Sequence, residues 1–129
     1  MYKYLVLFFL LIAPFESYSD DDSISQFVYG YLKRINDFID DEKFEDAQRE
    51  LDIFVRRYFV NEQSYERALI NQLYGNFWAI QGEYEKAIPW YEKSLKFKKM
   101  PLVTGIQVRV GLSQCYFQMS NYIKTIEIL

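Results

Sequence analysis

The feature that most constrains this fold is a pattern of apolar residues at helical spacing that the sequence repeats. Its clearest copy runs from residue 69 to 97, with apolar residues three or four positions apart on both sides of the Gln81-Gly82 dipeptide. They are Leu69, Leu73, Phe77 and Ile80 before it, and Tyr84, Ala87, Ile88, Tyr91 and Leu95 after it. Because Gly favours turns, this stretch predicts two helices joined by a tight turn. Gly75, inside the first helix, would leave room for the backbone of a neighbouring helix to approach closely.

Two weaker copies flank this stretch. The upstream copy lies forty residues earlier and pairs Phe44 with Tyr84, Ala47 with Ala87 and Leu51 with Tyr91. The downstream copy lies thirty-eight residues later and pairs Tyr116 with Trp78, Tyr122 with Tyr84 and Thr125 with Ala87. The predicted repeats therefore cover residues 25–61, 64–100 and 104–129, with the last one incomplete. This organisation predicts an all-α solenoid of about two and a half helix-turn-helix repeats.

The spacing Tyr74-Gly75-x2-Trp78, followed by Ala87-x3-Tyr91, resembles the tetratricopeptide repeat. Gly82 and Tyr84 stand where that family places its inter-helix turn. Two positions depart from the pattern: Asn71 replaces its Trp, and Ser94 replaces a small Ala. A looser similarity links the chain to periplasmic repeat proteins associated with the TonB system. The resemblance implies a scaffold that binds proteins or peptides, but the fold alone does not name the partner.

The resemblance also implies a concave groove lined by the first helix of each repeat. Carried onto this sequence, the groove residues are Tyr29, Leu32, Asn36 and Ile39, then Leu69, Gln72, Asn76 and Ile80, then Gln107, Val110, Gln114 and Phe117. Asn36, Asn76 and Gln114 would occupy matching positions and form a ladder of side-chain amides able to pair with a peptide backbone. The alternative is that these amides are ordinary solvated side chains.

Composition argues against several other functions. The chain has no histidine, which removes the commonest general base and metal ligand, and its one cysteine, Cys115, can form neither an internal disulfide nor a cysteine metal cluster. A net charge of −3 without a basic stripe argues against nucleic acid as a partner. We therefore expect a non-enzymatic protein without a cofactor or metal, in which Cys115 and the aromatic residues pack in the core.

Residues 1–19 are predicted to be a secretory signal peptide. Lys3 precedes an apolar run, Leu5–Ala13, that Pro14 ends and that is shorter than the ~20 residues a membrane span requires. Small residues at Ser17 and Ser19 then suit signal peptidase, so a mature chain of residues 20–129 would be exported to the periplasm or secreted. The alternative is an uncleaved N-terminal segment that anchors the protein in the inner membrane.

The third repeat is expected to leave an apolar face uncovered at Cys115, Tyr116, Ile123, Ile126 and Leu129. Repeat arrays normally end in a capping element with a polar outer face. Either the chain belongs to a longer array, or a partner or second copy covers this face. Self-association through the third repeat is therefore an alternative to peptide binding in the groove.

Overall fold

The computed structural model describes residues 26–57 and 64–129, and every regular element in these two ranges is an α-helix. The helices are α1 (Gln26–Asp40), α2 (Phe44–Arg57), α3 (Tyr65–Ile80), α4 (Tyr84–Leu95), α5 (Leu102–Gln118) and α6 (Tyr122–Ile128). The all-α prediction is confirmed for this part of the chain. The predicted signal peptide, residues 1–19, lies outside the described residues.

Short polar side chains begin two of the helices. The Ser64 hydroxyl accepts a hydrogen bond from the backbone N–H of Arg67 at 3.1 Å and caps α3. In the same way, the Asn121 side chain accepts from the backbone N–H of Lys124 at 3.2 Å and caps α6. These bonds satisfy N–H groups that have no partner within the first turn of a helix, which fixes where each helix starts.

Three turns among the described residues share one structure. Each contains a residue with positive φ: Glu42 at 60°, Gly82 at 80° and Ser120 at 64°. The N–H of that residue donates to the carbonyl three positions earlier at 2.9–3.0 Å, and the next N–H donates to the carbonyl five positions earlier at 2.8–3.0 Å. This pair of bonds is the Schellman motif that ends many helices. The turns lie forty and thirty-eight residues apart, which are the offsets found in the sequence.

Helices that follow one another pack together, and α3 holds the central position. It contacts α1, α2, α4 and α5, while α4 also packs on α5, and α5 on α6. One buried cluster joins α1, α2 and α3 and includes Leu32, Ile35, Leu51, Phe54 and Leu73. A second cluster joins the end of α3 to α4 and α5 and includes Ala87, Tyr91, Val108, Leu112 and Cys115. The predicted core positions of Tyr91 and Cys115 are confirmed.

Tyr91 fills the space where α3, α4 and α5 meet. Its side chain is fully buried. A Cβ atom added to Gly75 would lie 2.6 Å from Tyr91 Cε1, and one added to Gly111 would lie 2.9 Å from Tyr91 Cζ. Gly75 therefore makes room for an aromatic ring and not for the partner backbone that the sequence suggested. Two glycines on different helices are needed because the ring touches both helices closely.

Candidate partner-binding face

The structure buries half of the twelve predicted groove residues. Leu32, Ile39, Leu69, Gln72, Asn76 and Gln107 are buried, whereas Tyr29, Asn36, Ile80, Val110 and Gln114 are partly buried. Phe117 is exposed, at 55% of its maximum. The burial on α3 follows from its central position, because four other helices pack around it. Partner contact through these residues remains a prediction, and Phe117 is the one already at the surface.

Asn36 and Asn76, two members of the predicted amide ladder, each have one atom without a partner. The Nδ2 of Asn36 donates to Asp40 Oδ2 at 3.4 Å, but its buried Oδ1 has no hydrogen-bond partner among the described residues. Asn76 Oδ1 accepts from the Tyr91 hydroxyl at 2.5 Å, but its buried Nδ2 likewise has none. A buried polar atom left unpaired costs about 1–3 kcal/mol. Asn36 therefore holds an unpaired acceptor and Asn76 an unpaired donor, and both atoms are covered by neighbouring side chains.

The Tyr91 hydroxyl holds the Asn76 amide in place. The two residues are fifteen positions apart, on α4 and α3, and both are buried. Burial, together with the proximity of Cys115, raises the pKa of the Tyr91 phenol well above its ordinary value. The phenol therefore stays protonated and remains a donor, so Asn76 Oδ1 stays engaged. Sequence reasoning assigned Tyr91 to the core but missed this role, which its polar tip could have suggested.

Exposed apolar side chains occupy parts of α5, the surface of α6 and Leu129, which follows α6. Ile123 is 73% exposed, Ile126 74% and Leu129 77%, as expected for the uncovered face. Cys115, which was expected on the same face, is instead buried, and Tyr116 is partly buried. The sequence analysis also missed exposed apolar residues at the start of α5: Leu102, Val103 and Ile106. Side-chain exposure near a helix start depends on the neighbouring helix, which periodicity does not specify.

Residues 26–57 and 64–129 contain no group of three or more His, Cys, Asp or Glu side chains arranged to hold a metal ion. Among the same residues, no helix is both long enough and apolar enough to cross a bilayer. Comparisons with protein-family models, curated proteins and solved structures give no match. Function is therefore inferred from the geometry of the described helices.

Proposed function

We propose that this chain is an exported, tetratricopeptide-type repeat module that binds a segment of another protein without catalysing a reaction. Support for the repeat comes from the three equivalent turns at Glu42, Gly82 and Ser120 and from contacts between α1 and α3 and between α3 and α5. The pattern of Gly75, Ala87 and Tyr91 agrees with close packing of the helix pair. The proposal of export rests on the sequence of residues 1–19.

The observation that carries the binding proposal is the unpaired amide atoms of Asn36 and Asn76. They stand at equivalent places in the first helices of two successive pairs, forty residues apart. Each residue of an extended peptide presents one N–H and one C=O. A peptide N–H would donate to Asn36 Oδ1, and a peptide C=O would accept from Asn76 Nδ2, once the side chains that cover these two buried atoms move aside. Binding would give a hydrogen-bond partner to two buried polar atoms that otherwise have none. Because these bonds involve the peptide backbone, binding would depend little on the sequence of the ligand.

Selection from a library of unstructured peptides displayed on phage tests this proposal. Peptides selected on the purified chain should bind the Asn36→Ala and Asn76→Ala variants about tenfold more weakly, because each change removes one hydrogen bond to a buried group. Gln118→Ala is the control, since Gln118 is an exposed amide at the end of α5. Equal affinity for the wild type and the double Asn variant would contradict the proposal. Circular dichroism would verify that each variant is folded.

The exposed apolar side chains of α6 and of Leu129, which follows it, favour one alternative function, self-association. Ile123, Ile126 and Leu129 form an apolar surface that would lose contact with water in a dimer. Sedimentation of the wild type should then show a dimer that Ile126→Lys converts to a monomer. A wild-type chain that sediments as a monomer at every concentration would exclude this alternative and would leave the peptide-binding proposal untouched.

A further inference from the structure

Three exposed apolar side chains stand at the start of α5. Leu102 is 76% exposed, Val103 47% and Ile106 49%. The residues between and just after them are buried: Thr104, Gly105, Gln107 and Val108. The start of α5 therefore has one face packed on the other helices and one apolar face open to solvent, which we call the α5 apolar patch. Contiguous exposed apolar surface is typical of sites that contact proteins or membranes.

A lysine-rich turn lies beside the α5 apolar patch. Tyr65, at the start of α3, contacts both. Its hydroxyl forms a hydrogen bond of 2.8 Å with Thr104 Oγ1, and the centre of its ring lies 5.7 Å from that of Phe97. Phe97 is followed by two exposed lysines, Lys98 and Lys99. Because Tyr65 holds Phe97 and Thr104 together, the two lysines lie close to the first turn of α5.

Arg109 adds a positive charge on α5 itself. It is exposed and follows Ile106 by about one helical turn. A Cβ atom added to Gly105 would lie 3.3 Å from Arg109 Nη1 and 3.4 Å from Met100 Cγ. The guanidinium group therefore folds back along α5 towards the patch. Long basic side chains often lie along apolar surface in this way and keep their charge in water.

The charge of this part of the chain is positive, although the net charge of the whole chain is −3. Between residues 93 and 126 the sequence contains no Asp or Glu. Its charged residues are all basic: Lys93, Lys96, Lys98, Lys99, Arg109 and Lys124. The ion pairs found within residues 26–57 and 64–129 involve none of them. The surroundings of the patch therefore complement a negatively charged partner.

We propose that the α5 apolar patch docks on the surface of a membrane that contains anionic lipids. Leu102, Val103 and Ile106 would enter the boundary between headgroups and acyl chains, and Lys98 and Lys99 would contact the lipid phosphates. Apolar side chains flanked by Lys or Arg are the usual features of binding in the plane of a membrane surface. An acidic peptide would pair with the lysines but would leave the apolar side chains in water, so a lipid surface fits both features.

A fluorescent label at the patch tests this docking in the full chain. Leu102→Cys carries the environment-sensitive dye nitrobenzoxadiazole, and Cys115 is buried, so the reagent reacts with the introduced thiol. Vesicles of phosphatidylcholine and phosphatidylglycerol in equal amounts should shift the emission to shorter wavelength, whereas phosphatidylcholine alone should not. Raising the ionic strength to about 1 M shortens the Debye length to about 3 Å and should reduce the shift. A label reports on its own surroundings, so binding through the apolar run at residues 5–13 does not by itself produce the shift.

Ile123→Cys, labelled in the same way, is the matched control for position. Ile123 is 73% exposed, which is close to the exposure of Leu102. It lies at the other end of α5, where the ring centres of Phe117 and Tyr122 are 5.5 Å apart. A label at this residue should keep the same emission with and without anionic vesicles.

Charge variants of the labelled Leu102→Cys protein test the role of the lysines. Lys98→Gln and Lys99→Gln should each weaken insertion about fivefold, the contribution of one basic residue near an anionic surface. Lys43→Gln is the control, because Lys43 is exposed and its neighbour Phe44 packs against Phe77 near the end of α3. The 16 residues of α3 span roughly 24 Å, and the two test lysines lie near its start. Lys43→Gln should therefore leave insertion unchanged.

Four results would overturn the proposal. They are the absence of a shift on anionic vesicles, an equal shift on both kinds of vesicle, an equal shift of the label at Ile123, and a loss in Lys43→Gln as large as in Lys98→Gln. A shift that appears without vesicles and grows with protein concentration would also overturn it, since a second copy would then cover the patch. If circular dichroism shows that labelled Leu102→Cys is not folded, labelled Val103→Cys decides the matter by the same outcomes.

Discussion

The close contact between Gly75 and Tyr91 predicts that adding a single methyl group, in Gly75→Ala, destabilises the protein. In Gly75→Ala the new Cβ would lie 2.6, 2.7 and 2.9 Å from three atoms of the Tyr91 ring. The ring has little room to retreat, because its other contacts include Gly111, where a Cβ would also be 2.9 Å away. Real carbon atoms do not approach this closely, so either the ring or one of the helices must move.

Two opposing effects set how much Gly75→Ala changes the free energy of unfolding. Replacing Gly by Ala inside a helix gains about 1 kcal/mol from helix propensity. Overpacking a well-filled core costs about 1–3 kcal/mol, and three short contacts against a fully buried ring place this site near the upper end. We therefore expect Gly75→Ala to lower the free energy of unfolding by about 1–2 kcal/mol.

Gly30 provides a matched control for this substitution. It is also inside a helix, α1, but it is exposed, and a Cβ there meets nothing within 4 Å. Gly30→Ala should therefore stabilise the protein by about 1 kcal/mol, so the two identical changes should have opposite signs. Urea unfolding followed by circular dichroism measures both.

A double-mutant cycle then assigns the effect to the Tyr91 ring. In a Tyr91→Leu background, Gly75→Ala should cost much less than it does in the wild type, because the smaller side chain leaves room for the methyl group. Stability of Gly75→Ala equal to or above that of the wild type would refute the packing described for these three helices. An unchanged cost in the Tyr91→Leu background would show that the methyl group meets something other than the ring.

Other parts of the structure make three further predictions. Glu42→Gly and Ser120→Gly should each raise stability in thermal unfolding by about 0.5–1 kcal/mol, because positive φ strains residues that have a Cβ; no gain at either site would contradict the left-handed turns. Tyr91→Phe should lower stability in urea by about 1–3 kcal/mol, because Asn76 Oδ1 loses its donor and stays buried; an unchanged midpoint would exclude this bond. Burial raises the pKa of the Cys115 thiol from 9.0 to about 12, so its stabilising contribution is complete below pH 9.0 and is lost as the pH rises towards 12. Correspondingly, a thiol reagent at pH 8 should modify Cys115 only after unfolding, and rapid labelling of the native protein would contradict its burial.

The sequence was sufficient to predict the helices and the turns between them. Apolar periodicity located the helix pairs, and the offsets of forty and thirty-eight residues reappear in the spacing of Glu42, Gly82 and Ser120. Both signals are local, because periodicity and turn chemistry depend on residues close together in the chain. The N-cap at Ser64 could be predicted for the same reason.

The burial of polar residues on the predicted binding face could not be predicted from local sequence patterns. Gln72 and Asn76 are polar, and polar side chains are usually exposed, yet both lie inside the structure. Their burial results from the helices that surround α3, which is information about tertiary contacts and not about spacing. The same limit explains why the sequence did not identify Gly111 as a contact of Tyr91, since the two residues lie on different helices.

The hydrogen bond from Tyr91 to Asn76 has a consequence for evolution as well as for binding. One residue fills the junction of three helices with its ring and orients an amide of the proposed peptide site with its hydroxyl. Under the proposed function, selection on recognition and selection on folding would act on the same side chain, so a substitution of Tyr91 would affect both. A second site of this kind would need the aromatic ring, both glycines and the asparagine together. Because Gly111 lies on α5, a duplication of the α3–α4 pair alone would not supply all four residues.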